Sequence, residues 1–107
     1  GIKFISQYQE ILDPVVQGAC PYLDAFSYNI YSFTPGHAYL DHYHELCGKP
    51  MVIGETGFVA TENLSGNRNT KGAGPHLPTQ KARAKAFEVF VRKFLSKPYA
   101  VGFNFFT

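Results

Sequence analysis

One carboxylate stands where a buried strand should end. Pro50-Met51-Val52-Ile53-Gly54-Glu55-Thr56-Gly57-Phe58 carries an apolar run into Glu55 and then into glycine, directly after the helix-stopping Gly48-Lys49-Pro50. Such a run fits a strand covered on both faces, the habit of parallel sheets, and a charge does not belong in that interior. Glu55 is therefore expected at the carboxyl end of its strand, where parallel α/β folds place their chemistry. A helix cap or an ion pair with an arginine of the next loop is the competing use of the same side chain.

The other chemistry-bearing residues are weaker signals. His37, His42 and His44 invite a metal reading, but zinc sites on one helix use i, i+4 spacing, whereas His42 and His44 point about 200° apart on a helix. They are expected to be surface or core-edge histidines, and no metal is expected. Cys20 and Cys47 form no Cys-x-x-Cys and are too few for a disulfide framework. They read as two buried, reduced thiols, which leaves the compartment open.

The elements that must position Glu55 follow from periodicity. Ile2 and Phe4 flank Lys3 as the tail of a strand. Residues 5–19 read as loop and helix, started by Asp13-Pro14, with Ile11, Leu12, Val15 and Val16 as its apolar stripe. Ala25 to Tyr31 reads as an aromatic-rich strand whose alternation sorts Phe26, Tyr28 and Ile30 from Ser27, Asn29 and Tyr31. A helix is predicted over residues 37–47, stopped by Gly48. After the Glu55 strand comes a polar loop, Val59 to Pro78, far beyond the roughly 12 to 15 residues usual in a compact domain. Starting close to Glu55, it is expected to overhang that residue. Thr79 then caps a helix to Lys97 with Phe87, Phe90, Val91, Phe94 and Leu95 on one stripe and Lys81, Lys85, Glu88 and Arg92 opposite. Tyr99 to Phe106 closes the chain as a strand.

Composition is that of a folded chain: 107 residues, 45% hydrophobic and 17% charged. A net charge of +2 gives no case for nucleic acid or an anionic membrane, and no apolar run approaches the roughly 20 residues of a membrane span. Aromatic residues are 16% of the chain, 7 Tyr and 10 Phe without Trp. Aromatic faces at the mouth of a sheet suit a ring-shaped ligand.

Strands alternating with helix-length crossovers give α/β architecture with parallel βαβ units. Three such strands cannot close an eight-stranded barrel, and a bare terminal strand exposes an apolar edge. Residues 1–107 are thus expected to be the C-terminal portion of one (β/α)8 TIM-barrel domain, with its N-terminal remainder as partner.

Three blocks in order, Asp24-Ala25-Phe26-Ser27-Tyr28-Asn29-Ile30-Tyr31, Gly48 to Phe58, and Val101-Gly102-Phe103-Asn104-Phe105-Phe106, resemble strands six to eight of retaining (β/α)8 glycoside hydrolases of the clan that includes β-galactosidases, cellulases and agarases. Asn69 to Pro75 and Pro78-Thr79-Gln80 also look like the loop and helix start of agarase-like or β-galactosidase-like members. The resemblance implies a carbohydrate substrate, hydrolysis of a β-linkage with retention, and no cofactor. It maps the nucleophile onto Glu55 and its orienting hydroxyl onto Tyr31, with Asn29, Phe58 and Phe105 expected to bind sugar. Phe105 stands where the clan usually has Trp, so it lacks the indole N–H. The acid/base carboxyl ends strand four in the clan. Glu45, Glu62 and Glu88 do not follow strands here, so that group is expected upstream and the isolated chain inactive. Two other readings compete: a carbohydrate-binding pseudoenzyme, and a half-barrel completed by self-association.

Overall fold

The computed structural model describes residues 3–4 and 11–106. In chain order the elements are β1 (Lys3–Phe4), α1 (Asp13–Ala19) with a 3-10 turn Cys20–Tyr22, β2 (Phe26–Asn29), α2 (His37–Cys47), β3 (Met51–Thr56), β4 (Val59–Ala60), β5 (His76–Leu77), α3 (Gln80–Leu95) and β6 (Ala100–Phe105). Strands β1, β2, β3 and β6 pair in parallel in that order, so each strand lies beside the one before it. Helices α2 and α3 form the crossovers between β2, β3 and β6. The chain is α/β with parallel strands. Ile2 and residues 5–10 of the expected first elements lie outside the described residues.

Local chemistry sets the helix ends. Gly36 and Gly48 bracket α2 at φ 63 and 64, backbone states that cost glycine little, and the Gly48 N–H closes onto His44 O. Thr79 Oγ1 accepts from Ala82 N at 3.1 Å, while Glu62 Oε2 takes the Gln80 N–H at 2.7 Å. Two donors that α3 cannot satisfy internally are thus paired.

The core lies on one side of the sheet. Phe26, Met51 and Ile53 join Leu40 and Tyr43 of α2 and Phe90 and Phe94 of α3, all at most 1% exposed. Burying each such side chain contributes about 1.5–3 kcal/mol. Coverage of β3 on both faces is not what these residues show: Val52 remains half-buried because no described helix lies over it. In α1 only Val16 of the expected stripe is buried. Leu12 and Val15 are 71% and 48% exposed, since the helix is seven residues long and meets the core edge-on. Leu95 likewise faces outward.

The cysteines are not reduced thiols. Cys20 and Cys47 form a disulfide with Cα atoms 5.4 Å apart, joining the end of α1 to the end of α2. Nothing local in the sequence marks the pair, because α1 and α2 come together only by packing on the same sheet. From the middle of α2, Asp41 accepts from Lys97 Nζ at 2.7 Å and Tyr99 Oη at 2.6 Å, fastening α2 to the α3–β6 connection. Burial, the bond to Asp41 and its charge together raise the Tyr99 phenol well above its usual range.

Candidate active site at the strand ends

Glu55 is the penultimate residue of β3 and half-buried. The register between β2 and β3 runs Phe26 to Met51, Ser27 to Val52 and Tyr28 to Ile53, then slips so that Asn29 lies opposite Glu55 instead of Gly54. That slip brings a carboxylate and an amide side by side at the end of the ladder. The Ile30 N–H still donates to Glu55 O at 2.9 Å, so the backbone holds both residues in place.

Tyr31 follows just past β2, and its hydroxyl donates to Glu55 Oε2 at 3.1 Å. The Tyr31 phenol is pushed up to about 12, first by burial, then by the bond to Glu55 and by its charge. At neutral pH it is therefore a proton donor to the carboxylate and not a base. A donor in this place orients Glu55 and favours its ionised form.

Asn29 is fully buried, and neither Oδ1 nor Nδ2 finds a hydrogen-bond partner among the described residues; Thr56 Oγ1, next to Glu55 in sequence, is in the same condition. A buried polar group left unpaired costs about 1–3 kcal/mol. Thr56 was not anticipated; its signal was a hydroxyl directly after the carboxylate of an apolar strand.

On the other flank, Phe105 of β6 pairs with Thr56 in register and is 36% exposed, its ring edge-on to Phe87 at 4.7 Å. Asn104 Nδ2 reaches Gly54 O at 3.4 Å. Phe58, expected to face sugar, is 3% exposed and wedged among Phe33, Phe87 and Phe90 at centroid distances of 6.3, 6.1 and 5.6 Å. Its ring packs mostly against α3, and the little that remains exposed lines the cleft described below.

The long loop returns over this rim. Its ends pair as β4 and β5, and its last part lies against Gly57 and Tyr31: a Cβ on Gly74 would collide with Gly57 O, and one on Gly57 would stand 2.7 Å from Phe106 O. Backbone thus meets backbone beside Glu55, with Gly74 at φ 101. Between loop, α3 and the end of β6 lies a cleft of about 390 Å³ lined by Phe58, Asn69, Lys71, Arg83 and Phe106 among others.

Several other acids and histidines serve elsewhere in the fold. Glu45 lies exposed on α2, Glu62 holds the start of α3, and Glu88 pairs with Lys85 and Arg92 on the solvent face. His42 Nε2 donates to Asp13 Oδ1 at 2.7 Å, while His44 Nδ1 donates to Lys49 O at 2.9 Å and its ring stacks on Tyr99. Among the described residues no cluster of three or more His, Cys, Asp or Glu could hold a metal ion, and no helix is long and apolar enough to cross a membrane.

No family model and no curated protein match the chain. Solved structures do. An exo-beta-agarase superposes with a TM-score of 0.73 and 27% identity over 86% of this chain and 12% of its own. The agarase AgWH50C gives 0.75 and 27% over 90% of this chain and 13% of its own. PfGH50B, at 24% identity, TM-score 0.73, and 87% and 12% coverage, shows the fold alone. The chain spans about an eighth of the length of each, and matches a fragment of a glycoside hydrolase structure.

Proposed function

We propose that this chain is part of a retaining, agarase-like glycoside hydrolase, in which its parallel strands form an arc of a (β/α)8 barrel and Glu55 is the nucleophile. The observation that carries the reading is the bond from Tyr31 to Glu55 at the carboxyl ends of adjacent parallel strands. Sequential strand order is the order of a singly wound barrel, and chemistry at its strand ends is the rule for such folds. The likeness to two agarases supports a β-linked polysaccharide as substrate.

In this reading Glu55 Oε attacks the anomeric carbon as the bond to the leaving oxygen breaks. A second carboxyl group, about 5 to 5.5 Å away and contributed by a segment outside these residues, gives that oxygen its proton. The same group then takes a proton from water, whose oxygen displaces Glu55 and completes retention. Tyr31 holds the carboxylate in aim through Oε2. Asn29 exchanges its unpaired amide for sugar hydroxyls, and Phe105 offers an apolar face to a pyranose ring. The disulfide supports an oxidising compartment.

Glu55→Gln in the full-length protein tests this. Turnover should fall by orders of magnitude with the fold intact by near-UV circular dichroism. A 2-fluoro glycoside should leave a covalent adduct on Glu55 in a peptide map. Unchanged turnover, or an adduct on another residue, rejects the assignment.

A further inference from the structure

Lys71 and Arg83 line the same cleft of about 390 Å³, together with Asn69 and the ring of Phe106. Neither cation has an ion-pair partner among the described residues, whereas Lys85 and Arg92 share Glu88 and Lys97 holds Asp41. Arg83 also sits near the start of α3, whose first turn carries no acidic residue. The positive end of the helix dipole works against a cation there, so an anion in the cleft would relieve two like charges and the dipole together. The Glu62 carboxylate reaches that helix start, but it is committed to Gln80 N and is not part of the cleft lining.

The cleft adjoins the proposed reacting centre through backbone. The Phe106 N–H donates to Thr56 O at 2.7 Å, and Phe58 and Phe106 belong to both rim and cleft. Its volume suits one substituted pyranose. We propose that this cleft is a subsite for an anionic substituent of the saccharide, a sulfate ester or a uronate carboxylate, held by Lys71 and Arg83 with Asn69 donating its amide. This rests on the glycoside-hydrolase reading and adds to it a preference for charged over neutral chain units. Arg supplies a planar fork for two anion oxygens, and Lys a mobile point charge on the loop.

Titration calorimetry on the full-length protein tests it with three probes: a neutral agar tetrasaccharide, its sulfated counterpart and a uronate-bearing counterpart, each at 50 and 200 mM salt. The anionic probes should bind at least tenfold more tightly than the neutral one at low salt, and higher salt should narrow the gap; whichever anionic probe leads identifies the substituent. Lys71→Gln with Arg83→Gln should erase the gap with the fold intact by near-UV circular dichroism; the single Lys71→Gln change, in an exposed loop, should shrink it. Equal affinity for all three probes, or a gap that survives the double change, overturns the subsite while the glycosidase reading stands. Failure to bind or turn over any of the three overturns both.

Discussion

The Tyr31 hydroxyl donates to Glu55 Oε2 at 3.1 Å, linking the ends of two adjacent parallel strands. Tyr31→Phe removes one donor to a charged acceptor, worth about 1.5–3 kcal/mol where that charge reacts. In the full-length protein turnover should fall about 10- to 100-fold. The phenol itself gives an independent readout. Its ionisation, followed as the ultraviolet difference between wild type and Tyr31→Phe, should centre near 12 and not near the ordinary 10.0. Since folding raises this pKa, the stabilisation is complete below about pH 10 and is lost as pH rises through about 12.

Asn29 carries a buried amide with no partner among the described residues, so in the glycosidase reading it is expected to serve binding at the expense of stability. Asn29→Leu, close in size and apolar, should leave the melting temperature unchanged or raise stability by up to about 1 kcal/mol. Affinity for oligosaccharide should fall in the same variant. A large loss of stability with binding intact would show that the amide is structural.

The Cys20–Cys47 bridge closes a loop with a sequence separation of 27. Chain-entropy reasoning assigns it about 3–4 kcal/mol, acting mainly on the unfolded chain. Urea unfolding with and without reductant should show that difference, and Cys20→Ser with Cys47→Ser should reproduce the reduced curve. A change below about 1 kcal/mol would mean that the packing of α1 on α2 suffices.

Gly74 stands at φ 101 with no room for a Cβ against Gly57 O. Gly74→Ala should lift the loop from the rim, costing about 1–3 kcal/mol if the strain is absorbed locally. Limited proteolysis should then cut within residues 62–70 faster than in the wild type, while α2 and its disulfide stay protected.

Some of this was legible in the sequence for identifiable reasons. The apolar run into Glu55 set β3 to within a residue, because a charge can only end such a strand. Gly48 fixed the stop of α2 and Thr79 the start of α3, since both act through local backbone geometry. What escaped depends on elements distant in the chain. The disulfide needs α1 and α2 packed side by side. The pairing of Asn29 with Glu55 arises from a slip in register that alternation alone cannot foresee. Which way Phe58 turns was not legible, because an apolar ring after a strand end can face solvent or the next helix, and α3, some twenty residues later, decides it. Lys71 and Arg83, twelve positions apart, gain meaning only from the shared cleft.

The excursion after Glu55 is fastened at its roots, by β4 against β5 and by Gly74 against Gly57, and Asn69 N closes it again onto Thr61 O at 3.0 Å. Residues 63–68 are exposed beyond that knot. That tip can therefore change in length or composition while the knot at its base and the parallel strands beneath keep their contacts.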